Sequence, residues 1–211
     1  MTRTAAWLSA LVLGFMVLLP TAVTSTTPAG LCKSINTLKD SLNFTNRRQY
    51  MKHNFPINYT IRVHYEEVFR VRNISKLNRT QDLEAQDLQE LWLVINQEVL
   101  KKVLRVLPER HPSRKYVSDL EHLLRMVEQV FQQVFQQDQD EERQTRERIR
   151  EICNRVRHSD VTEWKLVKPK ALLDNCYRTM HCLFCDCFQC QENFCDVLHW
   201  KRGKKRPSKQ A

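Results

Sequence analysis

The residues best suited to chemistry are the eight cysteines, because thiols form disulfides, bind metals or exchange electrons. Six of them lie in one short segment near the C-terminus. Two C-x-x-C spacings there, with His181 and His199 close in sequence, are typical of zinc ligands and of thioredoxin-type redox pairs. The redox interpretation requires a βαβ context, which the sequence pattern does not indicate. The full set is Cys32, Cys153, Cys176, Cys182, Cys185, Cys187, Cys190 and Cys195.

The cellular compartment decides between zinc and disulfides, and the N-terminus indicates secretion. Arg3 precedes a mostly apolar run, Ala5–Leu19, which is too short to span a bilayer and is followed by small residues. We therefore expect a cleavable signal peptide over residues 1–25, cut between 22 and 27, and a secreted chain without membrane insertion. In that oxidising compartment an even number of cysteines favours disulfides, so the cluster is predicted to be oxidised and metal-free, with its connectivity open.

Acceptor sequences for N-linked glycans also indicate that the chain is secreted. One such tripeptide is weak evidence, whereas several behind a signal peptide are stronger. They begin at Asn43, Asn58, Asn73 and Asn78.

A helix must position the C-terminal cysteines. Leu172, Cys176 and Met180 recur at helical spacing and predict a buried face on a helix over Ala171–Cys187, with Pro169 suited to its first turn. Three further helices are predicted over residues 31–53, 83–107 and 116–134.

Two short strands are predicted in the long links between helices. Ile57, Tyr59, Ile61, Val63 and Tyr65 alternate with polar residues, which is typical of a half-buried strand. Residues 54–79 are otherwise expected to contain no helix. A second strand is predicted at residues 164–167, and no function is assigned to the charged segment 138–160.

The link lengths predict how the helices run. A short link joins the second and third helices, which should be antiparallel neighbours, while the two long links can each cross the length of a bundle. The predicted fold is all-α: an up-up-down-down four-helix bundle over residues 31–198, with two crossover strands able to pair and a C-terminal disulfide cluster. Its first and fourth helices are antiparallel, so Cys32 is predicted to bridge to the Cys185–Cys195 region.

The composition argues against an enzyme. Glycine occurs three times in the whole chain, at Gly14, Gly30 and Gly203, so the predicted bundle has no phosphate-cradling loop, nucleophile elbow or dinucleotide fingerprint, and HExxH is also absent. We therefore expect no catalytic residues, no metal and no cofactor. The formal net charge is +10, but nucleic acid is an improbable partner for a secreted chain.

The C-terminal tail, residues 199–211, is basic. Two interpretations stay open, a solubilising end and a site for sulfated glycosaminoglycans. Its cationic residues are Lys201, Arg202, Lys204, Lys205, Arg206 and Lys209.

Two segments resemble the interleukin-34 family: RQYMKHNFPINYTIRVHYEEVFRVRNIS (residues 48–75) and WKLVKPKALLDNCYRTM (residues 164–180). The resemblance implies a short-chain helical cytokine that forms a non-covalent homodimer. It also implies binding to the macrophage colony-stimulating factor receptor, whose tyrosine kinase is activated when two receptors are paired and sustains monocytes and macrophages. The residues that contact the receptor stay unassigned. The alternative function is a secreted, disulfide-rich module that binds sulfated glycosaminoglycans.

The resemblance extends to single residues. The family's sequon matches Asn73, and its cysteines match Cys32, Cys176, Cys185, Cys187 and Cys195. One family cysteine is replaced by Phe188, and Cys190 is a candidate for its role. Cys153 and Cys182 match no family cysteine, and a bond between them is one possible pairing.

Overall fold

The computed structural model describes residues 29–65, 67–81, 83–135, 147, 149–154 and 164–190. The predicted signal peptide, Cys195, the basic tail and most of the charged segment lie outside these residues. The helices are α1 (Ala29–Ser41), α2 (Phe44–Arg48), α3 (Val71–Gln81), α4 (Ala85–Val106), α5 (Arg114–Phe135) and α6 (Pro169–Leu183). The strands are β1 (Ile61–His64) and β2 (Trp164–Val167), and a 3₁₀ turn, Cys185–Phe188, follows α6.

The two long central helices, α4 and α5, lie where helical periodicity predicts them. A capping box begins α4, in which the Glu84 N–H donates to the Asp87 carboxylate at 2.8 Å. Trp92 is fully buried, and its indole N–H donates to the Thr179 hydroxyl of α6 at 2.8 Å. The indole therefore fixes α4 against α6 as well as filling the core.

The first predicted helix is broken into α1, α2 and a π-helical turn, Gln49–His53. The break occurs because Asn43 adopts an extended backbone and its side chain accepts the Asn46 N–H at 2.8 Å. Asparagine competes well for such caps, so the chain starts a new helix here instead of continuing the old one.

Contacts between helix ends establish the up-up-down-down arrangement. The Tyr116 hydroxyl at the start of α5 donates to the Ser41 carbonyl at the end of α1, at 3.0 Å. The Gln89 amide near the start of α4 donates to the Leu183 carbonyl at the end of α6, at 2.7 Å. Hence α1 and α4 run one way and α5 and α6 the other, as the link lengths predict.

The two crossover strands pair antiparallel, in the register Ile61↔Val167 to His64↔Trp164. The predicted pairing is confirmed, but β1 is shorter than the alternation suggested. Ile57 lies before the strand and is 88% exposed, whereas His64, expected on the polar face, is buried. Alternation predicts which side chains share a face, but tertiary contacts decide which of them are covered.

The prediction that residues 54–79 contain no helix is wrong. Helix α3 lies there and packs against α6. Its apolar residues Val71 and Ile74 are buried and Leu77 is partly buried, one helical turn apart. Three apolar residues among polar ones are a weak sequence signal for a helix. Most of the stability of this helix comes from its packing against the bundle. Within the described residues, no helix combines the length and apolar character needed to cross a bilayer.

Candidate functional site

A disulfide joins Cys32 to Cys187, with the two Cα atoms 4.9 Å apart. It links the beginning of α1 to the turn after α6, as antiparallel packing of these helices requires. The Asn36 amide also donates to the Cys187 carbonyl, at 3.4 Å. The prediction that Cys32 bridges to the Cys185–Cys195 region is confirmed.

The other described cysteines differ in state. Cys182 is also disulfide-bonded, while Cys153 is a buried thiol, so the suggested bond between these two is wrong. Cys176 is a thiol on the core face of α6, where burial raises its pKa to about 12. Cys185 and Cys190 are thiols, and the Cys190 Sγ lies 3.9 Å from the His181 carbonyl oxygen. The structure thus differs from a fully oxidised set, because Cys176 points into the helical core while the turn cysteines lie beyond the end of α6.

His181 lies in an aromatic slot beside this disulfide. Its ring centroid is 4.5 Å from that of Tyr177 and 4.3 Å from that of Phe188. Burial, with smaller contributions from Lys39 and Arg47, lowers the pKa of His181 to about 4. The histidine proposed as a possible zinc neighbour is therefore neutral at physiological pH and packs as an aromatic side chain. No group of three metal-ligating side chains comes together among the described residues.

The four sequon asparagines have different environments. Asn43 caps α2, and its amide nitrogen, the atom that would carry a glycan, donates to the Asp40 carbonyl at 2.7 Å. The Asn78 amide nitrogen donates to the Leu83 carbonyl at 3.0 Å. Asn73 lies within α3 and is half-buried, whereas Asn58 is exposed in the loop before β1.

A buried ion pair fixes the first crossover to α4. The Lys102 ammonium lies 2.7 Å from both carboxylate oxygens of Glu67, whose side chain is 1% exposed. The same carboxylate accepts the His64 N–H at 2.6 Å. The Trp164 ring covers this group, with its centroid 3.9 Å from that of His64. The pair therefore holds the two-stranded sheet against the bundle.

A second charged network joins α2 to α6. Arg47 donates to Asp174 at 3.0 Å, and Lys170 donates to the other oxygen of the same carboxylate at 2.5 Å. The Arg47 guanidinium also lies 4.1 Å from the Tyr177 ring centroid, a cation–π geometry. Two cations share one carboxylate, so this region keeps a positive excess.

Next to this network is a cleft of about 620 Å³, which we call the basic cleft. It lies between residues 51–59 and residues 168–174, at the start of α6. Its lining includes Lys52, Lys168 and Lys170, and a single carboxylate, Asp174.

Sequence reasoning missed both the ion pair and the basic cleft. Glu67 and Lys102 are far apart in sequence, and nothing local shows that they meet. The Lys168-Pro-Lys170 run was visible, but it marks a positive site only once residues 51–59 are placed opposite it.

A comparison with known protein families identifies a family that this chain matches over most of its length. A sequence model of the family described as Interleukin 34 matches residues 25–192. The matched region contains all the described helices, both strands and the Cys32–Cys187 disulfide.

Proposed function

Because the chain belongs to the interleukin-34 family, a family of cytokines and not of enzymes, we propose that it activates the macrophage colony-stimulating factor receptor by pairing two copies of it. A cytokine acts by binding a receptor. The receptor's identity is inferred from the family resemblance of residues 48–75 and 164–180. Pairing would activate the receptor's tyrosine kinase and promote survival, proliferation and differentiation of monocytes and macrophages.

The family match over residues 25–192 is the observation that carries this proposal. The architecture supports it, because four helical segments in an up-up-down-down order are joined by a disulfide and by buried ion pairs, which favour one defined conformation. A rigid ligand loses little conformational freedom on binding, so more of its contact energy appears as affinity.

We further propose that the chain is secreted, carries N-linked glycans and acts as a non-covalent homodimer. A two-fold dimer presents each receptor-binding surface twice, so one dimer holds two receptors at a fixed separation. The expected mass by light scattering is twice that of the chain, and it should fall on dilution because no covalent bond joins the copies.

The test uses the secreted, glycosylated protein and cells with and without the receptor. We expect receptor tyrosine phosphorylation within minutes, only in the receptor-bearing cells, and a loss of signal at dilutions where light scattering shows the monomer. Full signalling by the monomer would refute pairing by a dimer. No phosphorylation at any concentration, from protein that is folded by circular dichroism, would refute the choice of receptor.

A further inference from the structure

We propose that the basic cleft is a docking site for an acidic segment of the receptor that carries one apolar side chain. This inference rests on the proposed function, since the occupant belongs to the receptor. It adds the surface and the chemistry of the contact, which the family match does not supply.

The cleft has an apolar interior and an apolar edge. Met51, Phe55 and Pro169 are buried and form part of its wall. Ile57 also lines it and is 88% exposed, the most exposed of the large apolar side chains that the structure describes. Phe44 is 59% exposed, and its ring centroid is 5.4 Å from the Lys170 ammonium of the cleft. Clustered exposed apolar side chains with polar neighbours are typical of interaction surfaces.

The charge at the cleft is positive. Lys52 and Lys168 line the cleft and are exposed. The one carboxylate in the lining, Asp174, forms its ion pairs with Arg47 and Lys170 instead. The first turn of α6 contains no acidic residue, so the positive end of its dipole is not offset there. A negatively charged partner is therefore attracted to this cleft.

The combination of features favours a peptide segment over a polysaccharide. A sulfated chain would satisfy the lysines, but it has no apolar group to cover Ile57 or enter the space beside Met51 and Phe55. A segment with aspartate or glutamate next to one aliphatic or aromatic residue matches both parts. In such interfaces the charges mainly set the association rate, and the buried apolar group mainly sets the dissociation rate.

Asn58 places a predicted glycan beside this surface. Its chain neighbours Ile57 and Tyr59 both line the cleft, and Asn58 itself is exposed. A glycan there would stand at the edge of the cleft and hinder docking. Binding is therefore measured in an Asn58→Gln background, since amidase removal of the glycan would leave an aspartate at this position, and we expect the glycosylated wild type to bind more slowly.

The first experiment reverses one charge at the cleft. Lys168→Glu is compared with Lys33→Glu, an exposed lysine of α1 at the opposite end of the bundle. Lys168 is the N-cap residue of α6, where an acid favours the helix, and Lys33 is an exposed position in the second turn of α1. Neither change should unfold the protein, and circular dichroism checks this for both variants. With immobilised receptor ectodomain, we expect Lys168→Glu to weaken binding about tenfold or more, mainly by slower association, and the effect to shrink in high salt.

The second experiment removes the apolar edge. Ile57→Ser is compared with Met126→Ser, a 44% exposed apolar residue of α5. We expect several-fold faster dissociation from the receptor for Ile57→Ser alone.

Each remaining outcome overturns the inference in a distinguishable way. If Lys33→Glu weakens binding as much as Lys168→Glu, only net charge matters. If Lys168→Glu lowers retention on heparin but leaves receptor binding unchanged, the cleft takes sulfated glycans. If every variant binds like the wild type, the docking site lies elsewhere and the proposed function stands. If the wild type does not bind the receptor, the proposed function fails and this inference fails with it.

Discussion

Removing the Cys32–Cys187 disulfide should cost a large part of the protein's stability. The bond closes a loop with a sequence separation of 155 residues. In the chain-entropy description, cross-linking such a long loop destabilises the unfolded state by about 5 kcal/mol at 25 °C. The double variant Cys32→Ser/Cys187→Ser is preferable to a single change, since a lone Cys187 would lie near the Cys185 and Cys190 thiols and could exchange with them.

Equilibrium unfolding in guanidinium chloride, without reductant, measures the effect. We expect a loss of up to about 5 kcal/mol and a larger m-value, because the unfolded chain becomes less compact. Thermal unfolding should shift down by roughly 10–20 °C for a chain of this size. Cys185→Ser/Cys190→Ser is the matched control, as it removes two thiols from the same turn without breaking a bond. A loss below about 1 kcal/mol, or an equal loss in the control, would refute the reasoning.

Three further predictions concern other groups. Glu67→Gln should lower the free energy of unfolding in urea by about 3 kcal/mol, because it leaves the Lys102 ammonium with an uncharged partner. The double variant Glu67→Gln/Lys102→Met should recover part of that loss, and no recovery would contradict the claim that the loss comes from the unpaired ammonium. The pKa of His181 is about 4 in the folded protein and 6.5 in the unfolded chain, so the unfolded chain takes up the proton first as the pH falls. The contribution of the neutral ring to the free energy of unfolding is therefore complete above pH 6.5 and is lost as the pH falls toward 4. Between about pH 7.5 and 5 the wild type should lose more unfolding free energy than His181→Phe, at most about 2 kcal/mol because solvent screens a half-buried ring, and parallel curves of unfolding free energy against pH would exclude this role. Truncation after Trp200 should reduce retention on heparin in a salt-dependent way if the tail binds sulfated glycosaminoglycans, and unchanged retention would make the tail a solubilising end.

Much of the fold could be predicted from local sequence. Helical periodicity located α4, α5 and α6, because a long amphipathic helix repeats its buried face several times and each repeat strengthens the signal. The link lengths then gave the helix order, since a short link forces neighbours to be antiparallel. From that order followed the contact between the start of α1 and the end of α6, and with it the prediction that Cys32 bridges to the Cys185–Cys195 region; the structure identifies Cys187 as the partner.

Shorter or weaker patterns failed for physical reasons. Helix α3 presents few apolar residues and depends on its contact with α6, so its own sequence resembled a polar link. The break at Asn43 is set by one side-chain hydrogen bond, which competes with a helical pattern that continues on both sides.

The candidate site was decided almost entirely by tertiary structure. Sequence alone showed a cytokine family, a cysteine cluster and a positive charge, but not where the charge is concentrated or which thiols are close enough to bond. Glu67 meets Lys102, and Lys52 and Lys168 line one cleft, only because the crossover and the first helical segment fold back against distant helices. Periodicity reports which face of an element is buried, whereas the partner across that face depends on the path of the whole chain.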